Sequence, residues 1–110
     1  MSDFLAQANL TLVSPGNKEA AIDTGYASDL LSDAIANAPA NSIFITVQAH
    51  KNTVAVATLV GIPLIILCNS RTAPSDMIDA ADDKGIGIAQ SEMTQYQACI
   101  MVNTILSKVM

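Results

Sequence analysis

Gly25-Tyr26-Ala27-Ser28-Asp29-Leu30-Leu31-Ser32-Asp33-Ala34-Ile35-Ala36-Asn37 reads, in order, as a glycine at a strand exit, a serine placed to cap a helix, and an amphipathic helical run. The Ser28 hydroxyl is expected to accept from a free amide of the first turn, where Asp29 also suits the helix dipole. Leu30, Leu31, Ala34, Ile35 and Ala38 recur on one face at helical spacing, while Asp29, Ser32, Asp33 and Asn37 fall on the other. Pro39 ends the run. Upstream, Ala20 to Thr24 reads as the strand that delivers the chain to this cap.

The same alternation continues outward in both directions. A short helix from Ser2 to Ala8 leads into a strand at Leu10 to Val13, and Ser14-Pro15-Gly16-Asn17-Lys18 reads as a surface turn. Downstream, the β-branched and apolar runs Ile43 to Gln48 and Ile62 to Cys68 read as buried strands. Between them Asn52 is placed to cap a helix that Gly61 stops ahead of Pro63. Thr53 to Val60 also alternates as a strand would, so spacing alone leaves that segment open. Ser75 then caps a helix running to Lys84, Gly85 stops it, and Ile86 to Ala89 forms a short strand. Thr94 and Gln97 have the spacing of a capping box for a final helix. Its apolar stripe is Ala98, Cys99, Val102, Ile105, Leu106 and Val109, with Ile100 and Met101 outside it and pointing to a second contact. Strand and helix alternate, so residues 1–110 form one α/β domain with a largely parallel β-sheet covered by helices.

Hydrophobic residues make up 51% of the 110 and aromatic ones 4%, with no Trp, so the core must be built from Ile, Leu, Val, Ala and Met. A domain of this size with so few charges exposes apolar surface, and self-association as a homodimer is the expected outlet. The formal net charge is −5, from four Lys, one Arg and ten acidic residues. That balance disfavours nucleic acid and anionic membrane surfaces, which need clustered basic residues. The apolar run Val54 to Cys68 is broken by Gly61-Ile62-Pro63 and is too short to span a bilayer. With no basic and apolar leader at Met1-Ser2-Asp3-Phe4, the expected compartment is the cytoplasm. Cys68 and Cys99 lack metal-ligand spacing and are expected reduced and buried, which also speaks against Cys68 as a nucleophile. Asp76, Asp79, Asp82 and Asp83 have helical spacing without a loop of oxygen ligands, and read as a solvated face; no metal and no cofactor is expected.

Two blocks, Gly25-Tyr26-Ala27-Ser28-Asp29-Leu30-Leu31-Ser32-Asp33 and Thr46-Val47-Gln48-Ala49-His50-Lys51-Asn52 with Val54-Ala55-Val56-Ala57, resemble domains of the DRTGG type. Such domains are similar in fold to the N-terminal domain of HPr kinase/phosphorylase. Of the segment that gives the family its name only Gly25 remains, and Asp23-Thr24 stand where the pattern has other residues. The resemblance implies a regulatory module of the kind found beside nucleotide-sensing CBS domains and acyl- or phosphoryl-transfer enzymes, and also free-standing. Kinase activity is not expected, because the chain has no Gly-x-x-x-x-Gly-Lys phosphate loop and no catalytic domain.

Ligands of open parallel sheets bind beyond the carboxyl ends of the strands, where strands about 5 Å apart bring their exit residues together. Those ends are Thr24-Gly25, Gln48 to Asn52, Asn69-Ser70-Arg71 and Gln90-Ser91-Glu92. The candidate ligand-binding residues are therefore Gly25, Ser28, His50, Asn52, Asn69, Arg71 and Glu92. Arg71 supplies a fork for an anion, His50 a donor or acceptor, and Gly25 with Ser28 a helix N-terminus. The expected function is a non-catalytic module that homodimerises and binds a small polar ligand, nucleotides included, or a partner enzyme. The alternative is a structural interaction domain without ligand, using the helix from Asn52 to Val60 and the final helix.

Overall fold

The computed structural model describes residues 1–109, with side chains through residue 108. Its elements are α1 (Ser2–Gln7), β1 (Thr11–Pro15), β2 (Thr24–Ala27), α2 (Leu31–Asn37), β3 (Ser42–Thr46), α3 (Lys51–Val60), β4 (Leu64–Leu67), α4 (Ser75–Lys84), β5 (Gly87–Gln90) and α5 (Gln95–Val109). The five-stranded sheet has the order β1-β5-β4-β3-β2. β2, β3, β4 and β5 run parallel, and β1 lies antiparallel against β5 with a register break between Leu12 and Ser14. The α/β fold with a largely parallel, helix-covered sheet is as expected from the sequence.

Alternation along the central strands divides the core in two. Phe44, Ile65, Leu67 and Ile88 face one side and pack with Val54, Ala57, Met77 and Ala81 of α3 and α4. Ile43, Ile45, Leu64, Ile66 and Cys68 face the other and pack with Phe4 of α1 and with Ala98, Val102, Ile105 and Leu106 of α5. Strands buried on both faces need unbroken apolar runs, and all five residues of β3 and all four of β4 are buried. Crossovers of one hand that step across the sheet in one direction lay α2, α3 and α4 on a single face. The chain leaves β5 for the opposite face, where α5 and α1 lie.

Stops written as local signals formed where expected. Gly61 and Gly85 close α3 and α4 in the left-handed region, at φ 90° and 68°. The Thr94 amide donates to the Gln97 side chain at 3.0 Å and the Gln97 amide to the Thr94 hydroxyl at 3.2 Å, which completes the capping box. Val109, the last member of the expected stripe, has its side chain outside the described residues.

Several boundaries differ from the sequence reading. β2 begins at Thr24 instead of ending there, because pairing with β3 starts at Ser42 and sets the register Gly25↔Ile43 and Tyr26↔Phe44. Gly25 is thus inside a strand: a Cβ there would lie 3.2 Å from Val102 Cγ1 and 3.4 Å from Ile45 Cδ1. Ser28 does not cap α2. Its amide extends the sheet by donating to the Ile45 carbonyl, and its hydroxyl accepts from the Leu30 amide at 3.1 Å in a turn ahead of the helix. Ser75 likewise begins α4 while Pro74 holds the cap position, its carbonyl accepting from Met77 and Ile78. In α2 only Ala34 is buried, and Leu30 and Ile35 are 63% and 50% exposed.

Candidate functional site

The carboxyl edge of the parallel strands is bridged by side chains over one half and opens into a crevice over the other. Above β2 and β3, Gln95 Nε2 donates to Asp29 Oδ1 at 2.8 Å, and Gln48 Nε2 donates to the Asp29 carbonyl at 2.7 Å. These bonds tie the β2 and β3 exits to the start of α5. Above β4 and β5 the exits diverge, one towards α4 and the other towards α5 on the opposite face. Diverging exits make a topological switch point, the place where open sheets hold ligands. A crevice of about 520 Å³ occupies it, lined by Ser70, Arg71 and Thr72 from β4, Gln90, Ser91, Glu92 and Met93 from β5, Asn9 and Thr11 beside the start of β1, and Met101 of α5.

The floor of this crevice is rigid. Asn69 donates its amide to the Met93 carbonyl at 2.8 Å, Ser70 to Ser91 at 2.9 Å, and Ala73 to the Gln90 side chain at 2.8 Å, so the two exit loops are stitched together. Asn69 and Ser70 are held in the left-handed region at φ 57° and 58°. Successive non-glycine residues there carry strain of about 1–3 kcal/mol each, and such strain gathers at functional sites when the surroundings over-determine it. Ser91, almost wholly buried, accepts from the Met93 amide at 2.9 Å and fixes the second loop.

Arg71 stands exposed in the crevice lining and pairs with no carboxylate among the described residues, whose one ion pair is Lys84 with Asp83 on α4, at 3.9 Å. Its fork is free for a ligand.

Of the residues singled out from the sequence, Arg71 and Glu92 line the crevice together and Asn69 shapes its loop. The others lie elsewhere. Gly25 borders a hollow of about 290 Å³ between β2 and α5, and Asn52 a groove of about 450 Å³ between α3 and α4. Ser28 stays in its turn. His50, not Asn52, is the cap of α3, its Nδ1 accepting from the Asn52 amide at 3.0 Å. Asn9 and Thr11 escaped sequence reasoning because only the antiparallel placement of β1 brings them to this end. Met101 carried a signal, since it falls outside the buried stripe of α5.

Cys68 follows β4 beneath the crevice and is fully buried. Burial, then the nearby Cys99 and Asp29, push its thiol up to about 11 from the ordinary 9.0, so it is no nucleophile at neutral pH. The folded state holds this proton more tightly than the unfolded chain. Its contribution to stability is therefore complete below pH 9 and is lost as pH rises towards 11. The melting temperature is expected to fall across that window in the natural chain and to fall less in Cys68→Ala; equal slopes in both would contradict the assignment.

No protein-family model matches the sequence, and no curated protein matches it either. Among solved structures, the CBS and DRTGG domains of the regulatory region of Clostridium perfringens pyrophosphatase, complexed with activator, diadenosine tetraphosphate, match with a TM-score of 0.75 at 12% identity. The match covers 100% of this chain and 49% of that one, so this chain spans about half the length of its neighbour. At this identity the likeness is one of fold, and it supports a DRTGG-like fold. No helix of the described residues is long and apolar enough to cross a membrane.

Proposed function

We propose that this chain is a non-catalytic regulatory module that binds a small polar ligand in the crevice above β4 and β5 and transmits occupancy to a partner enzyme. The observation that carries the reading is the unpaired Arg71 at a switch-point crevice whose loops are stitched and strained. The fold likeness to a regulatory region complexed with a nucleotide activator supports the same class and makes nucleotides the first probes. Kinship with the DRTGG family and the N-terminal domain of HPr kinase/phosphorylase belongs to this proposal, as does a cytoplasmic location, which suits two free cysteines sharing one core.

A ligand that binds only the folded state at a hundred times its Kd adds about 2.7 kcal/mol of stability, readily seen as a thermal shift. Nucleotides, acyl phosphates and nicotinamides form the first panel. Arg71→Gln is expected to abolish the shift without lowering the unliganded melting temperature. His50→Ala removes a helix cap outside the crevice, and is expected to cost about 1 kcal/mol of stability while the ligand shift persists. A ligand shift that vanishes in His50→Ala and survives in Arg71→Gln would overturn the placement of the site.

A second reading, homodimerisation through helices, is favoured by exposed apolar side chains. Leu59 on α3 is 71% exposed and Ile35 on the neighbouring α2 is 50% exposed, while Tyr96 and Ile100 are exposed one turn apart on α5. Sedimentation of Leu59→Glu and Tyr96→Glu separates the two surfaces: the one used for pairing yields monomers, and a natural chain that is itself monomeric removes the reading.

A further inference from the structure

The crevice lining constrains the class of ligand, and this step rests on the reading of that crevice as a ligand site. Phosphate chains are usually cradled by free backbone amides or by several cations. A cluster of cations is not offered here, and of the exit-loop amides those of Asn69, Ser70, Arg71 and Ala73 already donate to Met93, Ser91, Cys68 and Gln90, which leaves only those of Thr72 and Glu92 without a protein acceptor among the described residues. The crevice holds one cation, Arg71, and one anion, Glu92, on a chain of net charge −5. A polyphosphate entering it would meet a lone guanidinium and a repelling carboxylate.

The same pair suits a ligand that carries both charges. Arg71 and Glu92 line one crevice from opposite loops, and among the described residues they are not joined as an ion pair within 4.0 Å. Each head is therefore left for an outside partner. Met93 and Met101 add unbranched, polarizable side chains that adjust to varied apolar shapes, and Thr11 and Ser70 add hydroxyls. We infer that the crevice binds a small zwitterion of the α-amino-acid class, its carboxylate on the Arg71 fork and its ammonium on Glu92, with its side chain towards Met93 and Met101.

The test is calorimetric titration of the full chain with the standard amino acids one at a time, and with AMP, ATP and diadenosine tetraphosphate. For the tightest amino acid, the matching acid without the amine and the matching amine without the carboxylate are each expected to bind roughly ten-fold or more weakly. Arg71→Gln should weaken the amino acid and the acid but not the amine. Glu92→Gln should weaken the amino acid and the amine but not the acid, a crossed pattern that a loss of folding would not produce. A nucleotide that binds more tightly than every amino acid and is lost in Arg71→Gln would overturn the zwitterion while leaving the regulatory reading standing. Binding by none of these probes would overturn the zwitterion, and a panel of acyl phosphates and nicotinamides that is equally silent would overturn the ligand site itself.

Discussion

Phe44→Ala is expected to cost about 3–5 kcal/mol and to leave the chain largely unfolded at physiological temperature. Phe44 lies fully buried in β3, paired across the sheet with Ile65 on one side and Tyr26 on the other, beneath Val54 and Ala57 of α3. The neighbouring large ring is Tyr26, and its hydroxyl donates to Asp33 Oδ2 at 2.6 Å, which holds it out of the void. A small domain has about 5–15 kcal/mol of stability in all, and this one core position commands a large share of it. Urea denaturation followed by circular dichroism measures the loss directly, and Phe44→Leu should restore all but about 1.5 kcal/mol because it nearly conserves volume. A loss below about 1 kcal/mol in the alanine variant would mean that β3 does not occupy the centre of the core.

Gly16→Ala is expected to cost about 3 kcal/mol, an effect large for a residue in a surface turn. Gly16 sits at φ 63°, which costs an L side chain roughly 1–2 kcal/mol. A Cβ there would also lie 2.5 Å from the Gly87 amide nitrogen and 2.8 Å from its Cα. Both are backbone atoms of β5, held by the bond from the Gly87 amide to the Pro63 carbonyl at 2.9 Å, so neither can swing aside as a side chain would. Relief must come from β1 moving away from β5, at a further cost of about 1–3 kcal/mol. β1 also carries Thr11, and the segment before it carries Asn9, so the wall of the crevice loosens with it. Faster hydrogen exchange of the β1 and β5 amides, together with the lost stability, would mark this route. A neutral Gly16→Ala would contradict the close approach.

How much of this was legible in the sequence follows from the reach of each signal. The Thr94 and Gln97 box, the left-handed stops at Gly61 and Gly85, and the apolar runs of β3 and β4 are settled within a few residues, and each formed where its residues pointed. The β2 strand was misplaced because its register is fixed by Ser42 and Ile43, nearly twenty residues away, and not by the β-branched Ile22 and Thr24. Ser28 reads as a cap, yet the sheet claims its amide first. For the candidate crevice, the position of Asn69, Arg71 and Glu92 at strand exits was legible because exits can be read once strands can. Strand order was not, and it is strand order that joins the β4 and β5 exits and leaves Gly25, Ser28, His50 and Asn52 outside their crevice.

Ligand occupancy is expected in the crevice above β4 and β5. Amide chemical-shift mapping by NMR, with the tightest compound of the calorimetric panel added to the isotope-labelled chain, tests it most directly. The largest shifts are expected at residues 69–72 and 90–93, with Thr11 and Met101 following. Shifts centred instead on 23–27 and 102–107, or on 51–58 and 80–84, would contradict it.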